Sequence, residues 1–231
     1  MINEPQNPLN NGEGNKNTST FKTTIIASGI IILLLASFFI YQYVSFKKIP
    51  QAEYVKGKVS DILSRMNDLK LNEASKEIRP DPEKIMLENF PVIARIKIPS
   101  IDIDYPIITL TDEQMKIQDI DERYRRALEL AIVKFDGVDP NQAGNMVIIG
   151  YDYRDLSMFK LRNIKIGDTF TVTDMYGYTY NYKVDDIFGA HKKNDLPKVV
   201  DQNTDGKIVV TMVATTNDPV IKLCVRGTKI N

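Results

Sequence analysis

Two strand-like segments joined by a short turn lie near the end of the chain, in residues 207–227 (KIVVTMVATTNDPVIKLCVRG). The first segment, KIVVTMVAT, is a run of β-branched and apolar residues, which is typical of a buried strand. The residues TNDP that follow favour a turn. The segment VIKLCVRG then returns as a second strand. This stretch therefore predicts a paired, buried core element around which a β-rich domain is built.

Further strand patterns precede this pair. Residues 91–99 (PVIARIKIP) alternate apolar and polar residues, and residues 101–108 (IDIDYPII) do the same. Because Pro106 has no N–H to donate to a neighbouring strand, we expect the second segment to be an edge strand. Residues 145–152 are predicted to form a buried strand and its exit, and residues 170–184 a hairpin.

Helical patterns lie between these strands. Asp81 is predicted to cap a short helix over residues 82–89, which Pro82 begins. Thr111 is predicted to cap a longer, charged helix through residues 112–135 (DEQMKIQDIDERYRRALELAIVKF). Residues 188–205 are predicted to be a polar loop.

The N-terminal part has a different character. Residues 1–22 are rich in Asn, Thr and Gly and are predicted to be disordered. Residues 23–46 carry no charge, and this length can span a bilayer, which needs about 20 apolar residues. A signal peptide is the alternative, although its apolar core is usually about 7–15 residues. More lysines follow the span than precede it, so the positive-inside rule alone would place the C-terminal part in the cytosol.

An amphipathic helix is predicted over residues 52–71, after the apolar span. Its apolar residues recur at spacings of four and three, in a seam formed by Val55, Val59, Ile62, Met66 and Leu69. Because the seam covers only about two heptads, packing against the domain or lying near the membrane is favoured over a coiled coil.

The composition excludes several classes of function. Lys and Arg number 30, as do Asp and Glu, so no overall charge points to nucleic acid. Cys224 is the only cysteine, so no intrachain disulfide can form. The sequence has no zinc-ligand cluster and no Gly-rich phosphate loop. Asp152, Asp155 and Asp218 do not have the spacing of a Ca²⁺ loop, and no metal or cofactor is predicted.

Motifs distributed over residues 91–227 occur in the order found in one known family. The pattern I-x-I-P-x-I-x-I corresponds to residues 96–103, and G-N-x-V-I-x-G-H corresponds to residues 144–151. The pattern F-x-x-L-x-x-l-k-x-G-D corresponds to residues 158–168. The patterns T-L-x-T-C and R-x-L-V-R-G correspond to the final strand pair. The chain thus resembles the sortases, cysteine transpeptidases that attach proteins to Gram-positive cell walls. The charged helix in residues 112–135 is a departure from that family.

The resemblance implies a mainly β fold, a sortase-like closed and mostly antiparallel barrel with short helices. It also implies a site in which His, Cys and Arg act together. Tyr151, Thr215 and Lys222 occupy those three positions here. A Thr hydroxyl is a poor nucleophile without a base, and a Tyr with a pKa of about 10 is a poor proton shuttle. Lys222 keeps the charge of Arg but loses its bidentate fork. We therefore expect a catalytically degenerate site.

Three alternatives would keep an activity. Cys224 could be the nucleophile, but an apolar strand Cys is usually a small buried hydrophobe. His191 could be a base, but it lies in a polar loop with no nucleophile beside it in sequence. Thr215 and Lys222 could act as a pair, with the amine as base.

The predicted function is that of a membrane-anchored, sortase-like protein that binds a sorting-signal peptide, a pilin or an active sortase. An active transpeptidase or hydrolase with a non-standard nucleophile is one alternative, and a structural membrane-proximal assembly protein is the other. The resemblance argues for a C-terminal domain outside the cell. The candidates for lining the substrate cleft are Met212, Ala214, Thr216 and Asp152. The predicted organisation is a cytoplasmic tail (1–22), a transmembrane helix (23–46), a helical stalk (47–90) and a β-barrel domain (91–231).

Overall fold

The computed structural model describes residues 52–70, 85–153, 156–191, 195–215 and 222–230. These residues belong to one compact unit, Pro50–Asn231. The predicted tail and apolar span lie outside the described residues. No helix within the described ranges has the length and apolar character needed to cross a membrane.

Nine strands and four α-helices make up this part of the chain, with short 3₁₀ helices at Pro99–Ile101 and Phe159–Asn163. In chain order they are α1 (Ala52–Lys70), β1 (Met86–Leu87), β2 (Phe90–Ile98), β3 (Ile103–Ile108), α2 (Asp112–Met115), α3 (Ile120–Leu130), β4 (Ile132–Gly137), β5 (Gly144–Tyr151), β6 (Thr169–Asp174), β7 (Thr179–Ala190), α4 (Leu196–Val200), β8 (Ile208–Thr215) and β9 (Lys222–Lys229).

Strands β2 to β9 form a closed barrel. The strand order is β1-β2-β3-β4-β5-β8-β9-β7-β6, and an additional pairing between β2 and β6 closes the sheet. The pairs β3–β4 and β5–β8 are parallel, and the other pairs are antiparallel. The predicted fold, a mainly β closed barrel with short helices, is confirmed.

Alternation along each strand separates the barrel interior from an outer cluster. On β8, Met212 and Ala214 face the interior core, whereas Val213 belongs to a cluster on the outer surface. On β9, Val225 faces inward and Cys224 faces outward. This alternation follows from the two-residue period of a strand, and it decides which side chains can reach a surface site.

Helix α1 packs on the outer surface of the barrel. Four members of its predicted seam, Val55, Val59, Ile62 and Met66, are buried in the outer cluster. Polar contacts reinforce this packing, because Arg95 on β2 donates through Nη1 to Asn67 of α1 over 2.6 Å. Of the three interpretations of the seam, packing against the domain is therefore the one observed.

The predicted helix over residues 112–135 is interrupted after Met115, and its last residues form a strand. It divides into α2 and α3, and Asp119 caps the second helix through a bond from Glu122 N to Asp119 Oδ1. Residues 132–137 are β4, because Ile132 and Val133 pair with β3 in the sheet. Tertiary pairing of these β-branched residues overrides the helical pattern before them.

Other boundaries also differ from the sequence predictions. β3 is not an edge strand, since it lies between β2 and β4. Its β4 pairing involves only Ile107 and Ile108, which leaves Pro106 paired with β2 alone. The predicted helix 82–89 is absent over its described residues, where β1 pairs with β2 instead. The predicted loop 188–205 contains the end of β7 and helix α4. The hairpin predicted over residues 170–184 is confirmed by β6 and β7.

Candidate functional site

The three positions assigned by the motifs lie on three adjacent strands. Tyr151 ends β5 and is the register partner of Thr215, which ends β8. Strands β8 and β9 pair as far as Ala214 and Leu223, so the next pair along the same register is Thr215 and Lys222. The alternation with Val213 and Cys224 places both on the outer surface. The fold therefore brings the three side chains to one level of one face.

The chemistry available from Tyr151 is limited by its surroundings. Burial raises the pKa of its phenol, and the charge of Glu129 and the neighbouring Tyr153 raise it further, whereas Arg125 opposes them. Because the ordinary value is already about 10, the phenol holds its proton at neutral pH. Tyr151 can donate a hydrogen bond, but it cannot serve as a general base there.

Helix α3 flanks this end of the barrel. The charges of Asp121, Arg125 and Glu129 act on Tyr151, and they recur every four residues along one side of the helix. Tyr153 packs edge-on against Tyr151, with ring centroids 5.4 Å apart. An aromatic pair and a charged helix side therefore border the position of Thr215.

Asp152 links this end of β5 to both β8 and the 3₁₀ helix Phe159–Asn163. Its backbone N–H donates to the carbonyl oxygen of Thr215 over 2.8 Å. Its side chain, which is only 11% exposed, accepts a hydrogen bond from Arg162 Nη2 over 2.6 Å. Asp152, predicted from the sequence to line the substrate cleft, is bonded to Thr215 and forms an ion pair with Arg162.

A buried network of hydrogen bonds connects β5, β8 and β9 on the outer face of the barrel, several residues before the site on β5 and β8. Asn145, which is fully buried, donates to the carbonyl oxygens of Val199 and Asp201 and accepts from Thr211 Oγ1 over 2.8 Å. Arg226 Nε donates to the same Thr211 oxygen over 3.1 Å. The network joins β5, β8 and β9 to α4 and the residue after it, and so fixes the three strands that carry the site.

Cys224 does not reach the site as a nucleophile. Its side chain is fully buried, and burial raises the pKa of the thiol to about 11, against the lowering effect of Arg226 and Lys198. A thiol in this state stays protonated and is shielded from substrate. His191 is exposed, and its backbone N–H donates to Asp195 Oδ2, so it is a loop residue on the surface.

Two of the predicted cleft residues do not line a surface. Met212 and Ala214 are 0% and 1% exposed and belong to the barrel interior. This corrects the sequence prediction, and the reason is the strand period: with Thr215 outward, the residue before it faces inward. Thr216, and likewise Asp155 and Asp218, lie outside the described residues. Where side chains are described, no group of three His, Cys, Asp or Glu could hold a metal ion.

Comparisons with known proteins identify the family to which this fold belongs. The family model described as the Sortase domain matches residues 96–223, which is more than half of the chain. The chain belongs to the sortase family. The match includes Tyr151, Thr215 and Lys222, the positions that the motifs assign to the sortase His, Cys and Arg.

Solved sortase structures share the fold. A sortase D5 transpeptidase from Clostridium perfringens has a TM-score of 0.52 and 20% identity, over 76% of this chain and 98% of its own. A lid mutant of sortase A from Corynebacterium diphtheriae has a TM-score of 0.51 and 22% identity, over 74% of this chain and 93% of its own. A comparison with curated proteins gives no match.

The sequence analysis missed several residues that border the sortase site. Arg162 is ten residues from its partner Asp152, and no motif position points to it. Tyr153 could have been noticed, because it lies two residues beyond Tyr151. The α3 residues were placed on a helix, but the sequence carried no signal that this helix would flank β5.

Proposed function

We propose that this chain is a catalytically degenerate sortase that binds a sorting-signal-like peptide of a surface protein or pilin. The observation that carries the proposal is the site at one end of the barrel. There Thr215, Tyr151 and Lys222 adjoin on three strands, while the thiol of Cys224 is buried with a pKa of about 11. The family fold supports peptide binding, and Tyr151, Thr215 and Lys222 in place of His, Cys and Arg support the loss of cleavage.

A peptide library tests this proposal. The full-length chain is incubated with sorting-signal peptides and a nucleophilic amine. Mass spectrometry measures cleavage, and affinity capture measures binding. We expect binding without turnover. Thr215→Phe, which adds bulk at the end of β8, should weaken binding at least roughly tenfold, equivalent to about 1.4 kcal/mol. The matched control is Thr169→Phe at the exposed start of β6.

Turnover by the wild-type chain would contradict the proposal and favour an enzyme with a non-standard nucleophile. The register pair of Thr215 and Lys222 is the observation behind that second candidate, because a Lys amine can activate a hydroxyl when its pKa is lowered. In that case Thr215→Ala would abolish turnover and Cys224→Ala would not. If the library neither binds nor reacts, the third candidate, a structural assembly protein, is the one to pursue with a protein partner.

We also propose that the barrel domain lies outside the cell, anchored through residues 23–46. The absence of charge in that segment and the family membership support this placement. The test is labelling of intact cells by a membrane-impermeant thiol reagent, using Ser100→Cys in a Cys224→Ala background. Labelling before lysis is expected, and labelling only after lysis would reverse the orientation.

A further inference from the structure

The Arg162 side chain is linked by hydrogen bonds to the end of the barrel that carries Thr215. Asp152 is bonded through its backbone to the Thr215 carbonyl and through its side chain to Arg162, over 2.8 Å and 2.6 Å. Two short hydrogen bonds therefore connect residue 215 to this guanidinium, although the two lie far apart in sequence. Asp152 therefore contacts both the Arg162 guanidinium and the end of β8.

Among the described residues, the Arg162 guanidinium has more N–H donors than it has acceptors. Within the described ranges, Arg162 makes one hydrogen bond, from Nη2 to Asp152, and its Cζ lies 4.9 Å from the Phe159 ring centroid. Arg carries five N–H groups in a planar fork, so those on Nε and Nη1 have no acceptor among these residues. Its side chain is 53% exposed, against 11% for Asp152. These N–H groups belong to a side chain that is more than half exposed, so a ligand can reach it.

Lys160 is a suitable control residue for Arg162. Lys160 belongs to the same 3₁₀ helix and is similarly exposed, but its Nζ pairs with Asp102 Oδ2 over 2.6 Å. Asp102 has no hydrogen bond to β5 or β8 in the part of the chain that the structure describes. Lys160 therefore carries a comparable charge on the same element without a connection to the site.

Local charge favours an anion on the Arg162 side. Arg162 and Asp152 form an ion pair, and Lys222 lies at the start of β9 on the same outer face. On α3, Asp121 and Glu129 raise the pKa of Tyr151 and Arg125 lowers it, so these three residues carry one net negative charge. An anionic group would therefore be disfavoured near α3 and favoured near Arg162.

We propose that Arg162 forms a recognition subsite for a carboxylate of the peptide bound beside Tyr151, Thr215 and Lys222. This inference rests on the proposed peptide-binding function. The carboxylate accepts hydrogen bonds from the free side of the guanidinium fork, and Asp152 holds that fork in place from the other side. Arg162 is thus a specificity-determining residue, and no covalent step is involved.

Matched peptides test the subsite. Peptides recovered by affinity capture are synthesised as pairs that differ only by Glu or Gln at one position, with both termini blocked. Dissociation constants are then measured for the full-length chain and three variants. We expect wild type to prefer Glu at one position by roughly tenfold, with a preference that falls at high salt. Arg162→Gln should remove the preference, Arg162→Lys should keep part of it, and Lys160→Gln should keep all of it.

The outcomes separate this inference from the proposed function. One result is peptide binding with a ratio of Glu to Gln dissociation constants near one, and another is a ratio that Arg162→Gln leaves unchanged. Either result contradicts the carboxylate subsite and leaves the proposed peptide binding intact. Circular dichroism of each variant checks folding, and unchanged affinity for the Gln peptide excludes a general loss of structure.

A second measurement applies if no peptide binds and the proposed function fails. Modification of Arg162 by phenylglyoxal is followed by mass spectrometry, with N-acetylglutamate amide or N-acetylglutamine amide present. The control is Arg123 of α3, whose guanidinium donates to the Ile117 carbonyl oxygen. Slower modification with the glutamate compound alone, at Arg162 and not at Arg123, supports a carboxylate subsite. Equal rates with the two compounds overturn it.

Discussion

Cys224 lies on β9 two residues from Lys222, with its Sγ 3.8 Å from the Lys222 carbonyl oxygen. It shares the outward direction of Lys222, yet it is packed in the outer cluster and is fully buried. Thiolate formation there would place a charge in an apolar environment, which is the main cause of its raised pKa. The reactivity of this residue is therefore set by its surroundings.

The raised pKa of Cys224 predicts a pH-dependent stability. Its ordinary value is 9.0 and its folded value is about 11, so the unfolded chain loses the thiol proton first. The contribution is complete below pH 9 and is lost as the pH rises to 11, by about 2–3 kcal/mol. Urea unfolding of wild type and Cys224→Ala should show their stability difference changing by that amount over this interval. A constant difference would contradict the assigned pKa.

The tight packing around Gly227 predicts that a side chain at this position would destabilise the fold. A Cβ there would lie 2.4 Å from Phe170 Cε1 and 3.0 Å from the Lys183 carbonyl oxygen, and Phe170 is itself stacked on Tyr182. Gly227→Ala should therefore destabilise the fold by about 1–3 kcal/mol. Gly57→Ala is the matched control, because its Cβ would meet nothing within 4 Å and it lies in α1. There the substitution should stabilise by up to about 1 kcal/mol.

At the scale of elements, α1 is held by an apolar seam and by charges that meet at Glu88. Glu88 accepts from Arg126 of α3 over 2.8 Å and from the Tyr54 hydroxyl over 3.4 Å, and Lys58 lies 3.6 Å away. These exposed contacts each contribute little. Burial of the seam stabilises the packing of α1 more, since each fully buried aliphatic side chain contributes about 1.5–3 kcal/mol.

Ile62→Ala in α1 measures that contribution. The side chain is 3% exposed within the outer cluster, so its truncation should cost about 2–4 kcal/mol in the free energy of unfolding. Asp61→Ala, one residue earlier and exposed, should change stability by less than about 0.5 kcal/mol. If α1 were an independent stalk, neither substitution would alter the unfolding of the barrel.

At the scale of the whole molecule, α1, α3 and the outer barrel face share one cluster. Its members include Ile62 from α1, Tyr124 from α3, Val147 from β5 and Cys224 from β9. A second core fills the barrel interior, and the same strands separate the two. Loss of either core removes support from the other, so we expect cooperative unfolding of residues 50–231.

Coincident transitions test this cooperativity. Far-UV circular dichroism reports all elements, whereas labelling of Cys224 by a thiol reagent reports exposure of the outer cluster. Both should give one urea midpoint in wild type, and Ile62→Ala should shift both by the same amount. Thiol labelling at lower urea than the loss of ellipticity would show that the outer cluster opens separately.

The sequence alone determined the features that depend on local period and residue type. Two-residue alternation predicted the strands later found as β2 and β3, and a run of β-branched and apolar residues predicted β8. The spacing of apolar residues predicted the seam of α1. The motif order indicated the family and the three site positions. The same alternation predicts that Met212 faces inward when Thr215 faces outward. Met212 could therefore have been excluded from the cleft on sequence alone.

Tertiary structure decided what depends on contacts between distant residues. The β2–β6 pairing that closes the barrel, and the change from α3 to β4, depend on partners that local propensity does not specify. The ion pair of Asp152 and Arg162 depends on the 3₁₀ helix lying against the end of β5. Burial of Cys224 likewise depends on elements packed over β9. Sequence therefore determined which chemical groups this protein carries, and packing decided which of them are brought together and which can react.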